Sequence, residues 1–280
     1  MHRKNMSHGA ESPVYRMPLD AMSERFNHDR RQAEENSMQS DTKFLHIPAR
    51  PLTPEQQETL RQALAEEESA SAGDGPASFA GGEISKFWPP GKVLRVYFMG
   101  GSKRSQKRLM KAAQTWAALA NIQFVESTDR KSEVRISFFE TGGIWAMRGN
   151  EALGLAKADP TANCAGYDAW SVENVDGSAL MLFGTILGLA YEWDNPNRNI
   201  PWDKAEIYAD LKPQGWTMQQ VEQVFITKPN ATGTNFTAFD PKSIMCSPIP
   251  ENWTLGTYST QWNNTLSDLD KQIIAKIYPR

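Results

Sequence analysis

Histidine is scarce in this chain. The four present are His2, His8, His28 and His46, so residues 47–280 contain none. Everything beyond residue 46 is therefore closed to a histidine-based triad or a histidine-held metal, unless the N-terminal residues fold back over it. Cysteine is almost as rare, with only Cys164 and Cys246, which excludes a disulfide framework. No stretch approaches the roughly 20 apolar residues of a membrane span, so no membrane association is expected. The opening Met1 to His8 is charged with no apolar run behind it, unlike a secretory leader; the compartment is open, cytoplasmic by default. A formal charge of −3 and a pI near 5.9 leave no basic excess for phosphate contacts, which argues against a nucleic-acid partner. What is present is 280 residues, of which 40% are hydrophobic and 10% aromatic, enough for a sizeable core.

Residues 1–50 are polar, charged and poor in periodic apolar content, and read as a disordered or loosely attached extension. A short helix and linker follow over 51–83. Thr53 suits the N-cap, Pro54 the first helical position, and Gln56 completes a capping box. That helix is expected to fade by Glu66–Glu68, ahead of a Ser-, Ala- and Gly-rich stretch. The folded domain is placed at 84–280, with subdomains of about 84–192 and 193–280. Val93 to Met99 reads as a buried strand. Leu109, Ala112, Ala113, Trp116, Leu119 and Ala120 then form one apolar stripe on a helix from about Ser102 to Ala120. Ile122–Val125 and Glu133–Phe138 read as strands; in the second, Val134, Ile136 and Phe138 alternate with Arg135 and Ser137, predicting one buried face. Helices are expected over Asp203–Leu211, over Thr217–Ile226 with a Thr217/Gln220 capping box, and over Ser267–Ile277 with Leu269, Ile273, Ile274 and Ile277 buried.

The most informative stretch is the apolar helix Ser178-Ala-Leu-Met-Leu-Phe-Gly-Thr-Ile-Leu-Gly-Leu-Ala-Tyr-Glu-Trp-Asp-Asn-Pro. It resembles the metzincin zinc metallopeptidases of astacin-like bacterial and fungal type, which carry H-E-x-x-H-x-x-G-x-x-H followed by Glu and often Asn-Pro. With Gly188 on the family glycine, Met181, Thr185 and Tyr191 take the three zinc-ligand positions and Leu182 that of the catalytic glutamate. Glu192, Asn195 and Pro196 match the continuation. Phe87 to Val96 is similar to the entry strand of these enzymes. Ile144-Trp-Ala-Met-Arg-Gly-Asn resembles the strand lining their substrate cleft. Phe239-Asp-Pro-Lys-Ser-Ile-Met-Cys-Ser resembles their Met-turn, with Met245 kept and Ser247 in place of tyrosine. The resemblance implies an α+β fold: a small mixed, twisted sheet with two long helices, then a helix- and loop-rich C-terminal subdomain.

For chemistry the same alignment argues against catalysis. Ligands at i and i+4 stand one turn apart on a helix face, and the neighbouring glutamate takes the proton of zinc-bound water. Met181 offers a neutral thioether, better suited to Cu(I) than to zinc. Leu182 accepts no proton, Thr185 is a weak neutral donor, and Tyr191 alone cannot hold an ion. Structural zinc sites are worth about 10–16 kcal/mol, most of which such a set forgoes.

The expectation is therefore a folded, non-cleaving relative with no cofactor, its zinc lost, holding a peptide or protein segment along the edge at Ile144 and Trp145 by backbone pairing. The alternative is an active zinc endopeptidase using Glu192, Cys246 or an N-terminal histidine. Met181, Thr185 and Tyr191 fit equally well as packing residues of a buried helix. Glu192, Asp194, Asp203 and Glu206 read as a helix end and a solvated first turn. Lys103, Arg104, Lys107, Arg108 and Lys111 read as a solvated helix face. The sequons at Asn230, Asn235, Asn252 and Asn263 matter only in a secreted chain.

Overall fold

The computed structural model describes residues 52–70, 86–139, 143–169, 172–228 and 238–280. The expectations for residues 1–50, for most of the Ser/Ala/Gly stretch and for Asn230 and Asn235 fall outside these. Helix α1 spans Pro54–Ala70. Its capping box forms as read: Thr53 N donates to Gln56 Oε1 at 2.8 Å, and Gln56 N to Thr53 Oγ1 at 3.3 Å. The helix runs past the expected stop at Glu66–Glu68, because the Ala/Glu run contains good helix formers and no breaker. Leu60 packs where a side chain at Gly154 would otherwise sit.

Five strands make one sheet. They are β1 (Val93–Phe98), β2 (Gln123–Glu126), β3 (Val134–Ser137), β4 (Ile144–Ala146) and β5 (Ala162–Cys164), in the order β2-β1-β3-β5-β4. All neighbours are parallel except β4, which runs antiparallel to β5 with Trp145 opposite Asn163. The mixed sheet and its helices give the α+β class expected.

Strand β3 corrects one expectation. All four of its residues are buried, where the alternation predicted one wet face. The strand is central, between β1 and β5, so both faces are covered. Arg135 tolerates this by donating to the carbonyls of Asp159, Ser132 and Ala156, and Ser137 by donating to Asn163 Oδ1. Period-two polarity marks an exposed face only when the polar groups lack internal partners.

Helix α2 (Lys103–Ala117) is capped by Ser102 and buries Leu109, Ala112, Ala113 and Trp116, as its stripe requires. Lys103, Arg104, Lys107 and Lys111 are exposed. Helix α3 (Val172–Ile186) packs beside it, and Trp116 Nε1 donates to Leu180 O at 2.8 Å. Phe183 of α3 meets Phe124 of β2 edge-on, 5.2 Å between centroids, so the helix is seated on the sheet side of the core.

Beyond α3 come α4 (Lys204–Leu211), capped by Asp203; α5 (Met218–Val221), which passes into a π-turn at Glu222–Ile226; and α6 (Asp268–Ile277). The Thr217/Gln220 capping box is present. The single helix expected over Thr217–Ile226 is not: its last turn widens, and Arg198 Nη2 gathers the carbonyl of Phe225 at 2.5 Å with those of Ile226 and Thr227 at 3.4 Å. In α6, Ile274 and Ile277 are buried as read, but Leu269 and Ile273 only partly; Asp270 takes the inner position. That aspartate was invisible to a search for apolar residues.

Candidate functional site

Why helix α3 ends where it does fixes the site. Gly188 has φ +95°, a left-handed conformation that strains any side chain, and a Cβ there would meet the Phe87 ring at 2.6 Å. The exposed carbonyls at the helix end are taken by side chains from distant segments. Trp88 Nε1 donates to Ile186 O at 2.8 Å, and the Tyr278 hydroxyl to Leu187 O at 2.6 Å. The chain then reverses and delivers Tyr191 back toward the last turn of the helix.

Met181, Leu182, Thr185 and Tyr191 are all enclosed, none more than 4% exposed. The Thr185 hydroxyl donates to Met181 O, one turn earlier, at 3.1 Å. The Tyr191 phenol meets the Thr185 side chain, so the structure brings these two positions together. Burial holds the Tyr191 phenol far above its usual range, opposed by its Thr185 bond and raised further by the charge of Asp194. It is a neutral group at physiological pH.

Met245 lies directly under the helix. A Cβ on Gly184 would stand 2.5 Å from its Sδ, so a side chain there would require Met245 to shift. Glu192 N donates to Met245 O at 3.1 Å. Asp270 braces the same turn, accepting from Ser243 Oγ at 2.7 Å, Ile244 N at 2.8 Å and Ser267 N at 2.8 Å. Desolvation raises its carboxyl pKa, while these bonds pull it back.

Glu192 and Asp194 are not the solvated helix end read from the sequence. The turn Glu192–Asp194 folds inward, and burial pushes the Glu192 carboxyl up to about 7, against the bond that it accepts from Asp240 N at 3.2 Å. Asp194 is likewise raised by burial, with Arg148, Arg198 and Lys86 opposing. Asp203 does behave as read, accepting from Ala205 N and Glu206 N as the cap of α4. Cys164 and Cys246 are buried free thiols. Burial raises both, Cys246 to about 12, so neither is a thiolate at neutral pH.

Ile144 and Trp145 sit on β4, which pairs with β5 and is the last strand of the sheet among the described residues. Ile144 is fully buried, and β4 lies against α3, the helix of Met181 and Thr185. Asn163 sets the entry to this strand: its Nδ2 donates to Gly143 O at 2.8 Å and Phe139 O at 3.2 Å, while Oδ1 accepts from Phe139 N at 2.9 Å.

Sequence reasoning missed the ion pair of Arg148 with Asp194, the bracing role of Asp270, and a ring cluster of Trp193, Trp202, Trp216, Trp253 and Phe225 that fills the C-terminal part. The nine tryptophans of the chain were a visible signal for that cluster; Ser267-x-x-Asp270 was a local capping pattern for the second, and nothing local pointed to the first.

No family model matches the chain, and no curated protein does. Solved structures do. A structure of myroilysin is 32% identical, covering 70% of this chain and 97% of its own, with a TM-score of 0.62. A crystal structure of myroilysin is 30% identical, over 70% of this chain and 87% of that one, with a TM-score of 0.60. High choriolytic enzyme 1, a hatching enzyme zinc-protease from the medaka fish Oryzias latipes, is 15% identical with a TM-score of 0.47, over 72% and 98%. At one-third identity across nearly the whole length of myroilysin, the chain belongs to the astacin-like metzincin family.

Proposed function

We propose that this metzincin is a non-cleaving member that binds a peptide segment along the edge of β4. The observation carrying the proposal is the sealed face of α3, where Met181 and Leu182 are fully buried and Thr185 and Tyr191 nearly so. A catalytic zinc needs basic donors plus an open position for water. Here the donors would be a thioether, a hydroxyl already bonded to a backbone carbonyl, and a phenol kept neutral by burial. Those residues do not fit the ion, and Leu182 offers no base beside it. Apolar filling of such a pocket leaves few polar groups in need of partners, so the scaffold remains stable without metal. Among the described residues β4 is the last strand of the sheet, the position at which a peptide adds as a further strand.

The alternative, a zinc endopeptidase with other ligands, draws on one observation: the Glu192 charge acts on Cys246, so two of the donors it requires are neighbours. Against it, Glu192 is engaged by Asp240 N and Cys246 is 3% exposed. The test is casein cleavage by the full chain at high protein concentration, with and without chelator. We expect no cleavage in either arm; cleavage that the chelator abolishes would refute the proposal.

A further inference from the structure

Arg148 lies between β4 and the 3-10 segment Gly149–Gly154. Its Nη1 donates to Asp194 Oδ2 at 3.3 Å, with the two side chains only 20% and 24% exposed. Asp194 closes the turn just past Tyr191, and its own amide donates to Tyr191 O at 2.9 Å. The pair thus ties the end of the edge strand to the segment that follows α3. Two further contacts fall at the same junction. Lys86 and Glu151 pair at 3.0 Å, each 22% exposed. A Cβ on Gly149 would collide with the Lys86 carbonyl and stand 3.1 Å from Gly188 Cα, so the backbones of 149 and 188 are in near contact. The charges of Arg148 and Asp194 both act on the Tyr191 phenol, which places them beside the position of the family's third ligand.

We propose that the Arg148–Asp194 ion pair is a latch that fastens the end of β4 to the turn after α3, which is itself bonded to the Met-turn through Glu192 N and Met245 O. The guanidinium carries a fixed positive charge that acts on Tyr191, and its partner is a half-buried carboxylate that loses a compensating charge when Arg148 is removed. Gly149 and Gly188 let the two backbones approach closely, and the ion pair fastens the junction beside them. The functional meaning of the latch rests on the metal-free reading above. Its test does not, because it reads neither zinc nor cleavage.

The experiment is a double-mutant cycle on the full chain with Arg148→Met and Asp194→Asn, read by amide hydrogen exchange at Ile144–Ala146. Each single variant is expected to exchange about tenfold faster at β4, and the double variant no faster than the quicker single. Exchange at Val93–Phe98, in the middle of the sheet, is expected to be unchanged in all three. Where Arg148→Met fails to fold, Arg148→Lys keeps the charge and serves: it should hold exchange at β4 within about threefold of the parent until Asp194→Asn is added. Additive effects of the two substitutions would overturn the latch. So would equal acceleration across the sheet, or an Asp194→Asn substitution that leaves exchange at β4 unchanged.

Discussion

The amide of Glu192 donates to the carbonyl of Met245 at 3.1 Å. These two residues belong to separate segments whose likeness to the family was read independently, one beyond Gly188 and one in the Ser-Ile-Met turn. The bond between them fastens the segment carrying Tyr191 to the turn beneath α3. The same packing leaves no room for a side chain at position 184.

Gly184→Ala puts a methyl group 2.5 Å from Met245 Sδ, with Trp116 behind it at 3.2 Å. Met245 is itself buried, so the strain spreads into the core rather than into solvent. A loss of about 1–3 kcal/mol is expected from overpacking, measured by urea unfolding. An unchanged midpoint would mean that Met245 is free to move aside.

Thr185 offers a second check. Replacing it by Val keeps the shape but removes the hydroxyl that meets Tyr191. A buried phenol then loses its partner, at a cost of about 1–3 kcal/mol. Combining Thr185→Val with Tyr191→Phe should recover part of that loss, since neither orphan remains. The cycle is read by thermal or urea unfolding, and strictly additive losses would contradict the contact.

The pH dependence follows from Glu192. Its folded-state pKa of about 7 lies above the ordinary 4.5, with desolvation as the main cause. Between those values the folded chain holds a proton that the unfolded chain has released, so stability falls as pH rises from about 4.5 to 7 and is lowest above it. Asp194 and Asp270 are shifted in the same direction. Glu192→Gln should keep the acceptor for Asp240 N and remove this component. The variant is expected to be more stable than the parent at pH 8, by up to about 3 kcal/mol, and nearly equal to it at pH 4.5. Parallel stability curves for the two proteins would refute the assignment.

Restoring the family's residues tests the register itself. A variant carrying Met181→His, Leu182→Glu, Thr185→His and Tyr191→His should take up stoichiometric zinc, detected by elemental analysis and by a rise in melting temperature with added zinc. If it folds and binds none, those four positions do not converge as aligned.

Much of this was legible in the sequence. The apolar stripe of α2 and the capping boxes at Thr53 and Thr217 are local patterns, and local patterns survive folding. What escaped was set by partners distant in sequence. Arg135 looked like a surface residue until three carbonyls from neighbouring segments were found around it. Glu192 and Asp194 looked solvated because a helix end usually is, yet their turn folds onto the Met-turn and onto Arg148. Asp270 occupies a helical position that apolar periodicity cannot assign, because its burial is compensated by donors from Ser243 and Ile244.

The fate of the α3 face turns on whether Met181, Thr185 and Tyr191 hold an ion. Metal content of the purified full chain, by elemental analysis after exhaustive buffer exchange without chelator, tests it directly. The predicted result is zinc far below one per chain, with a melting temperature that chelator does not change. One tightly held zinc per chain, whose removal lowers the melting temperature, would contradict it.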